Sequence, residues 1–181
     1  MHAVAPGTVA RVMDDPSEGQ TPPGAAGEPV SVHFVNNVLA AAASLIEVEP
    51  DDAREVLADL GAFLTHRLRP ARTVALSEEL EHVATYARLE NARFPGRLEA
   101  ELPEARDLPS AQCVPGEVQA PLADALGRWL RDHRGRVRLA LRARLDGASL
   151  EVRLDEPDDP SVAGERVRIS LSPATTAGGV V

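Results

Sequence analysis

One histidine stands apart by its setting. His33 lies in the stretch from Ser31 to Ile46, SVHFVNNVLAAAASLI. Val35, Val38, Leu39, Ala42, Leu45 and Ile46 recur at three- and four-residue steps, so the stretch reads as a helix with one apolar stripe. At about 100° per residue, His33 falls on the far side of that stripe. Its neighbours there are Asn36, Asn37, Ala40, Ala43 and Ser44, all small or polar. An imidazole on so bare a face is open to a reactive partner, and neutral imidazole is a nucleophile near pH 7. The plainer alternative is a surface histidine on an alanine-rich helix. His66 and His82 fall off the apolar stripes of their own helices and read as solvated groups. Cys113 is the only cysteine, which excludes an internal disulfide and a cysteine-rich metal site. All 19 basic side chains other than histidine are arginine, so no mechanism that needs a lysine is open to the chain.

The elements that position His33 follow from composition and period. The chain has 181 residues, 44% of them hydrophobic but only 3% aromatic. Its core is therefore expected to be built from Leu, Val and Ala. The net charge of −9 argues against non-specific nucleic-acid binding, which needs a basic surface. No apolar run reaches the roughly 18 residues of a membrane span, and no signal pattern opens the chain. A cytoplasmic location is expected. Residues 1–29 are broken by Pro and Gly and read as a disordered tail, as do residues 174–181.

Pro50, Asp51 and Asp52 suit a helix start, where backbone N–H groups lack partners. Ala53, Val56, Leu57, Leu60, Phe63, Leu64 and Leu68 form the stripe of this second helix, which ends at Pro70. The short connection after Ile46 makes the two helices antiparallel. Two helices alone bury little, so a pair of hairpins from two chains is expected to form a four-helix bundle. A third helix, with Ser77 as N-cap, carries Leu76, Leu80, Val83, Ala87 and Phe94 on one face and ends at the Pro95-Gly96 turn. A fourth carries Val118, Leu122, Ala125, Leu126, Trp129 and Leu130. From Arg136 to Leu145, apolar residues alternate with arginines, a strand pattern. Asp146-Gly147 then signals a hairpin. Leu150, Val152 and Leu154, then Val167, Ile169 and Leu171, continue the sheet, and Leu98–Leu102 adds a further strand. The class is α+β: a helical hairpin over residues 30–72 and a small α/β sandwich over 73–173.

The run from Val74 to Phe94, VALSEELEHVATYARLENARF, resembles the LytS-type sensor histidine kinases. Leu76, Glu79, Leu80, Tyr86, Glu90, Arg93 and Phe94 match that family's pattern in order. Its phosphoacceptor motif, P-H-F-L-F-N, is matched by His33, Phe34 and Asn37, but not at the proline or the second phenylalanine. The resemblance implies a dimeric hairpin in which His33 is the phosphoacceptor and Asn37 its companion. It also implies an ATP-binding sandwich that follows, and a response-regulator receiver domain or a cognate histidine kinase as partner.

The same resemblance shows what has been lost. The family's asparagine box, Q-P-L-V-E-N-A-I-K-H-G, falls on Gln119–Trp129. Ala123 stands where the catalytic glutamate belongs and Asp124 where asparagine holds Mg²⁺. Trp129 replaces the closing glycine, a bulky group in a site that must admit ATP. Asp124 could still hold a metal, carboxylate oxygen being a good Mg²⁺ ligand, or could simply pair with Arg128. Asp155 should open a D-x-G-x-G box but is followed by Glu156-Pro157-Asp158-Asp159-Pro160. No lid fits between Pro160 and Val167, and an acidic turn would repel a triphosphate. The expectation is a truncated, degenerate ATPase-type domain with no bound cofactor. The chain then acts either as a phosphotransfer module or as a non-catalytic partner of a regulator or a true kinase.

Overall fold

The computed structural model describes residues 30–68, 73–143 and 149–171. The two expected tails, the helix stop at Pro70 and the Asp146-Gly147 turn lie outside them. Helix α1 spans Val32–Leu45 and is capped by Ser31, whose Oγ accepts from the Phe34 N–H. Helix α2 spans Pro50–Arg67, with Pro50 in its first turn and Asp51 and Asp52 beside it. The rings of Phe34 and Phe63 lie 5.3 Å apart, which puts the start of α1 beside the end of α2 and makes the pair antiparallel.

The hairpin does not stand alone. Helix α3, Leu76–Arg93, packs against both α1 and α2. Val38 and Ala42 of α1 and Ala53, Leu60 and Phe63 of α2 are buried, while Leu39, Ile46 and Leu57 remain exposed. The first helix therefore packs by a face turned slightly from the expected stripe, because two neighbours cover it rather than one. Helix α3 begins at Leu76, with Ala75 rather than the expected Ser77 as N-cap and no side-chain cap hydrogen bond. A two-residue pairing of β1 (Val74–Ala75) with β3 (Gln112–Cys113) delivers the chain there, and the Leu76 N–H donates to the Ala111 carbonyl.

After the Gly96 turn (φ +71), β2 (Leu98–Glu101) runs parallel to β4 (Val137–Ala143). Strands β5 (Ser149–Asp155) and β6 (Glu165–Ser170) add on antiparallel, giving the order β2-β4-β5-β6. Helix α4, Gln119–Asp132, covers one face of this sheet. Leu122, Ala125, Leu126 and Trp129 meet Val137, Leu139, Leu150, Val152 and Leu154 in the core. The other face is charged. Glu151 sits in register between Arg142 and Arg168, the cross-strand pairing that the alternation leads one to expect. No helix among the described residues is long and apolar enough to cross a membrane.

Candidate functional site

Helix α3 is the plank on which the site is built, and the residues that carried the family resemblance are its fixings. At its start, Glu79 is fully buried. Its carboxylate accepts from the backbone N–H of Gly116 (3.0 Å), Val118 (3.2 Å) and Gln119 (3.2 Å), the unpaired donors at the head of α4. Gly116 has φ +87, and a Cβ there would run into the Arg67 guanidinium. Only glycine allows this approach.

At the other end of α3, Tyr86 donates to Glu90 Oε1 and Arg93 donates to Glu90 Oε2, both at 2.7 Å. Burial pushes the Glu90 carboxyl above its ordinary range, against the pull of Tyr86 and Arg93. Burial, then the Glu90 charge, raises the Tyr86 phenol well above its usual value. The Arg93 guanidinium lies between two rings, 5.3 Å from Phe34 and 5.1 Å from Phe94. The spacing of Tyr86, Glu90, Arg93 and Phe94 thus grips Phe34, the residue next to His33.

His33 itself is exposed on the first turn of α1. The Asn37 side-chain amide, one turn on, lies 3.0 Å from His33 Nε2. With the amide N–H donating, Nε2 keeps its lone pair and the ring proton sits on Nδ1.

Between the start of α1, the end of α3 and the outer face of α4 opens a cleft of about 750 Å³. His33, Asn37, Ala123 and Asp124 all line it. The structure therefore gathers around one space His33 and Asn37, expected from the sequence to accept phosphate, and Ala123 and Asp124, two of the three positions expected in a nucleotide site. Asp155 is elsewhere. It ends β5 on the charged face of the sheet, paired with Arg138 at 2.9 Å and Arg153 at 3.0 Å.

Several expectations need correcting. Trp129 does not fill this space: its ring is buried in the core and stacked on His133 at 4.1 Å, on the opposite side of α4. The outer side carries Ala120, Ala123 and Gly127, whose small size leaves the cleft open. Arg128 pairs with Glu165 rather than Asp124. His66 and His82 are buried, not solvated. Their rings stack at 4.0 Å, Phe63 stacks on His82 at 4.8 Å, and His66 Nε2 lies 3.0 Å from Glu79. Burial, with help from the His66 and Arg67 charges, lowers the His82 pKa to about 3, so that ring is neutral. Cys113 is buried beneath β1, and its thiol is pushed up to about 12, chiefly by burial, which leaves it inert. No cluster of His, Cys, Asp and Glu that could hold a metal ion exists among the described residues.

Residues 28–98, the segment that carries His33 and the α3 fixings, match the family model described as histidine kinase. The protein from Escherichia coli (strain K12) named sensor histidine kinase BtsS is 27% identical over 128 residues, 70% of this chain and 23% of that protein. Sensor protein LytS of Staphylococcus saprophyticus is 32% identical over 99 residues, 54% of this chain and 17% of the relative. Over residues 28–98 the chain is thus similar to the LytS-type histidine kinases. Sensor protein LytS of Bacillus subtilis is similar at 31% over 99 residues. The matched stretch spans 17–23% of the length of these relatives.

The arginines of the cleft went unread in the sequence. The available signal for two of them was the run 120, 123, 124, 127, 131, which follows a helical step and mixes small and charged groups on the side of α4 away from its apolar face, with Arg134 just past the helix end.

Proposed function

We propose that this chain is a phosphorelay module of two-component signalling in which His33 takes a phosphoryl group from another protein and passes it on. The observation that carries this reading is the exposed His33 imidazole, held by Asn37 at the edge of the cleft. Once the Asn37 N–H swings off Nε2, the freed lone pair of the neutral ring attacks phosphorus in an acyl phosphate on a receiver domain, or in the γ-phosphate of ATP held by a partner kinase. An N–P bond forms, the P–O bond breaks, and its electron pair leaves with the carboxylate or ADP. The ring keeps its Nδ1 proton until solvent removes it. In the reverse step Nδ1 regains a proton, an aspartate oxygen attacks phosphorus, and the N–P electron pair returns to Nε2 to leave the neutral ring.

The chain's own autokinase activity is read as lost. Ala123 cannot act as a base, Asp155 is engaged by two arginines outside the cleft, and the segment from Pro160 to Val167 is too short for a lid. Dimerisation belongs to the same reading. Val32, Leu39 and Ile46 recur every seven residues on α1 and are all exposed, as is Leu57 on α2, a row suited to a second hairpin. That row also favours the second reading, a non-catalytic chain that pairs with a true kinase.

Radiolabelled phosphate separates the outcomes. Label that enters only from a phosphorylated receiver or a partner kinase, and vanishes in His33→Gln, supports phosphotransfer. Label from ATP alone means an intact kinase, and no label at all leaves the non-catalytic reading. The His33→Gln chain should keep its oligomeric state in sedimentation, since the ring contributes to no buried contact; loss of assembly would make the residue structural.

A further inference from the structure

The whole chain carries a net charge of −9, yet its cleft is basic. Besides Arg67, which has an interaction of its own, four arginines line it: Arg93, Arg97, Arg131 and Arg134. Only two carboxylates, Glu90 and Asp124, stand against them there. Glu90 is already taken by Arg93 and Tyr86. Arg97 spends its donors on the carbonyls of His133 (2.7 Å) and Gly135, which are neutral, so its charge stays uncompensated by that contact. Arg93 Nε is buried with no hydrogen-bond partner. Such an orphan donor beside surplus cations is expected where a ligand supplies the acceptor. Guanidinium forks match the oxygens of phosphate in bidentate geometry, and the dianion's double charge suits a cluster of them.

We propose that this cleft is a binding site for a phosphoryl dianion, either carried on His33 or free in solution as inorganic phosphate. The first source rests on the phosphotransfer reading; the second does not. Arg131 and Arg134, on the open rim, neutralise the dianion, while Arg97 supplies positive charge from the floor and Arg93, its charge met by Glu90, offers its unpartnered Nε–H. A phosphoryl group on His33 held in this way is shielded from water, so the cleft stores the group between donor and acceptor.

The test uses the full chain and inorganic phosphate, with the His33 imidazole followed by proton–carbon NMR. A saturable shift is expected, absent with chloride at matched ionic strength. In the double variant Arg131→Gln/Arg134→Gln, both positions being exposed, half-saturation should move about tenfold higher. Arg128→Gln, whose partner is Glu165 outside the cleft, should leave it unchanged. In a second arm, phosphoramidate labels His33 without any protein partner, and the label should hydrolyse several-fold faster in the double variant. A shift that chloride reproduces, or that the double variant leaves alone, overturns the site even if His33 takes phosphate from a receiver. A retained phosphate shift with no transfer from any partner keeps the site and removes the phosphotransfer reading instead.

Discussion

The two buried carboxylates of α3 do opposite kinds of work. Glu79 binds backbone N–H groups, which no substitution short of proline can remove, and so holds the head of α4 whatever other side chains follow. Glu90 binds two side chains of its own helix, Tyr86 and Arg93, and reaches α1 only through the ring of Phe34. A column of rings joins the two ends: His66 on Glu79, then His82, Phe63 and Phe34, which lies over Arg93 and so leads back to Glu90. The lesson is that one helix sets both walls of the cleft, one wall rigidly by backbone and the other adjustably by side chains.

That contrast can be broken first at Glu79. Replacing Glu79 by Ala strands three buried N–H groups and the His66 ring, and should cost about 3–5 kcal/mol in urea unfolding. The phosphate response of the cleft should go with it. Acid tests the ring column. In the unfolded chain His82 titrates at 6.5, whereas in the fold it titrates near 3. The unfolded state therefore binds more protons between those values, and the His82 contribution, complete above pH 6.5, is lost as pH falls toward 3. His82→Phe should flatten this acid limb in thermal scans.

Glu90 acts in the other sense. Its folded pKa is raised, so through Glu90 the fold gains stability as pH falls from that raised value to the ordinary 4.5. Glu90→Gln should lower stability by about 1 kcal/mol near neutral pH and make the acid limb steeper, because the opposing slope is gone. The smallest effect is expected on the charged sheet face. Glu151→Gln, between Arg142 and Arg168, should change stability by less than about 1 kcal/mol, less still in high salt.

Much of the frame was legible in the sequence. The helix periods of α1 to α4 and the strict alternation in β4 and β5 each reflect one buried face, and each element formed close to where its pattern lies. His33 was legible because nothing bulky shares its side of α1. What escaped were second faces. His66 and His82 sit off their own stripes, and a period cannot show that α2 and α3 press those off-stripe sides together. The openness of the cleft escaped for a related reason: Trp129 and Ala123 are neighbours in a motif but point to opposite sides of α4. The arginines escaped because they come from different elements, α2, α3, α4 and the segments after them, and no local window contains them.

The clasp on Phe34 has a consequence for timing. With that ring pinned by Phe63, Tyr86 and Arg93, the first turn of α1 cannot swing out without unstacking all three. The imidazole beside it is therefore a stationary berth. Under the proposed transfer, whatever brings a phosphoryl group must dock, unload and depart before the recipient can use the same approach, so delivery and collection would happen in turn and never together.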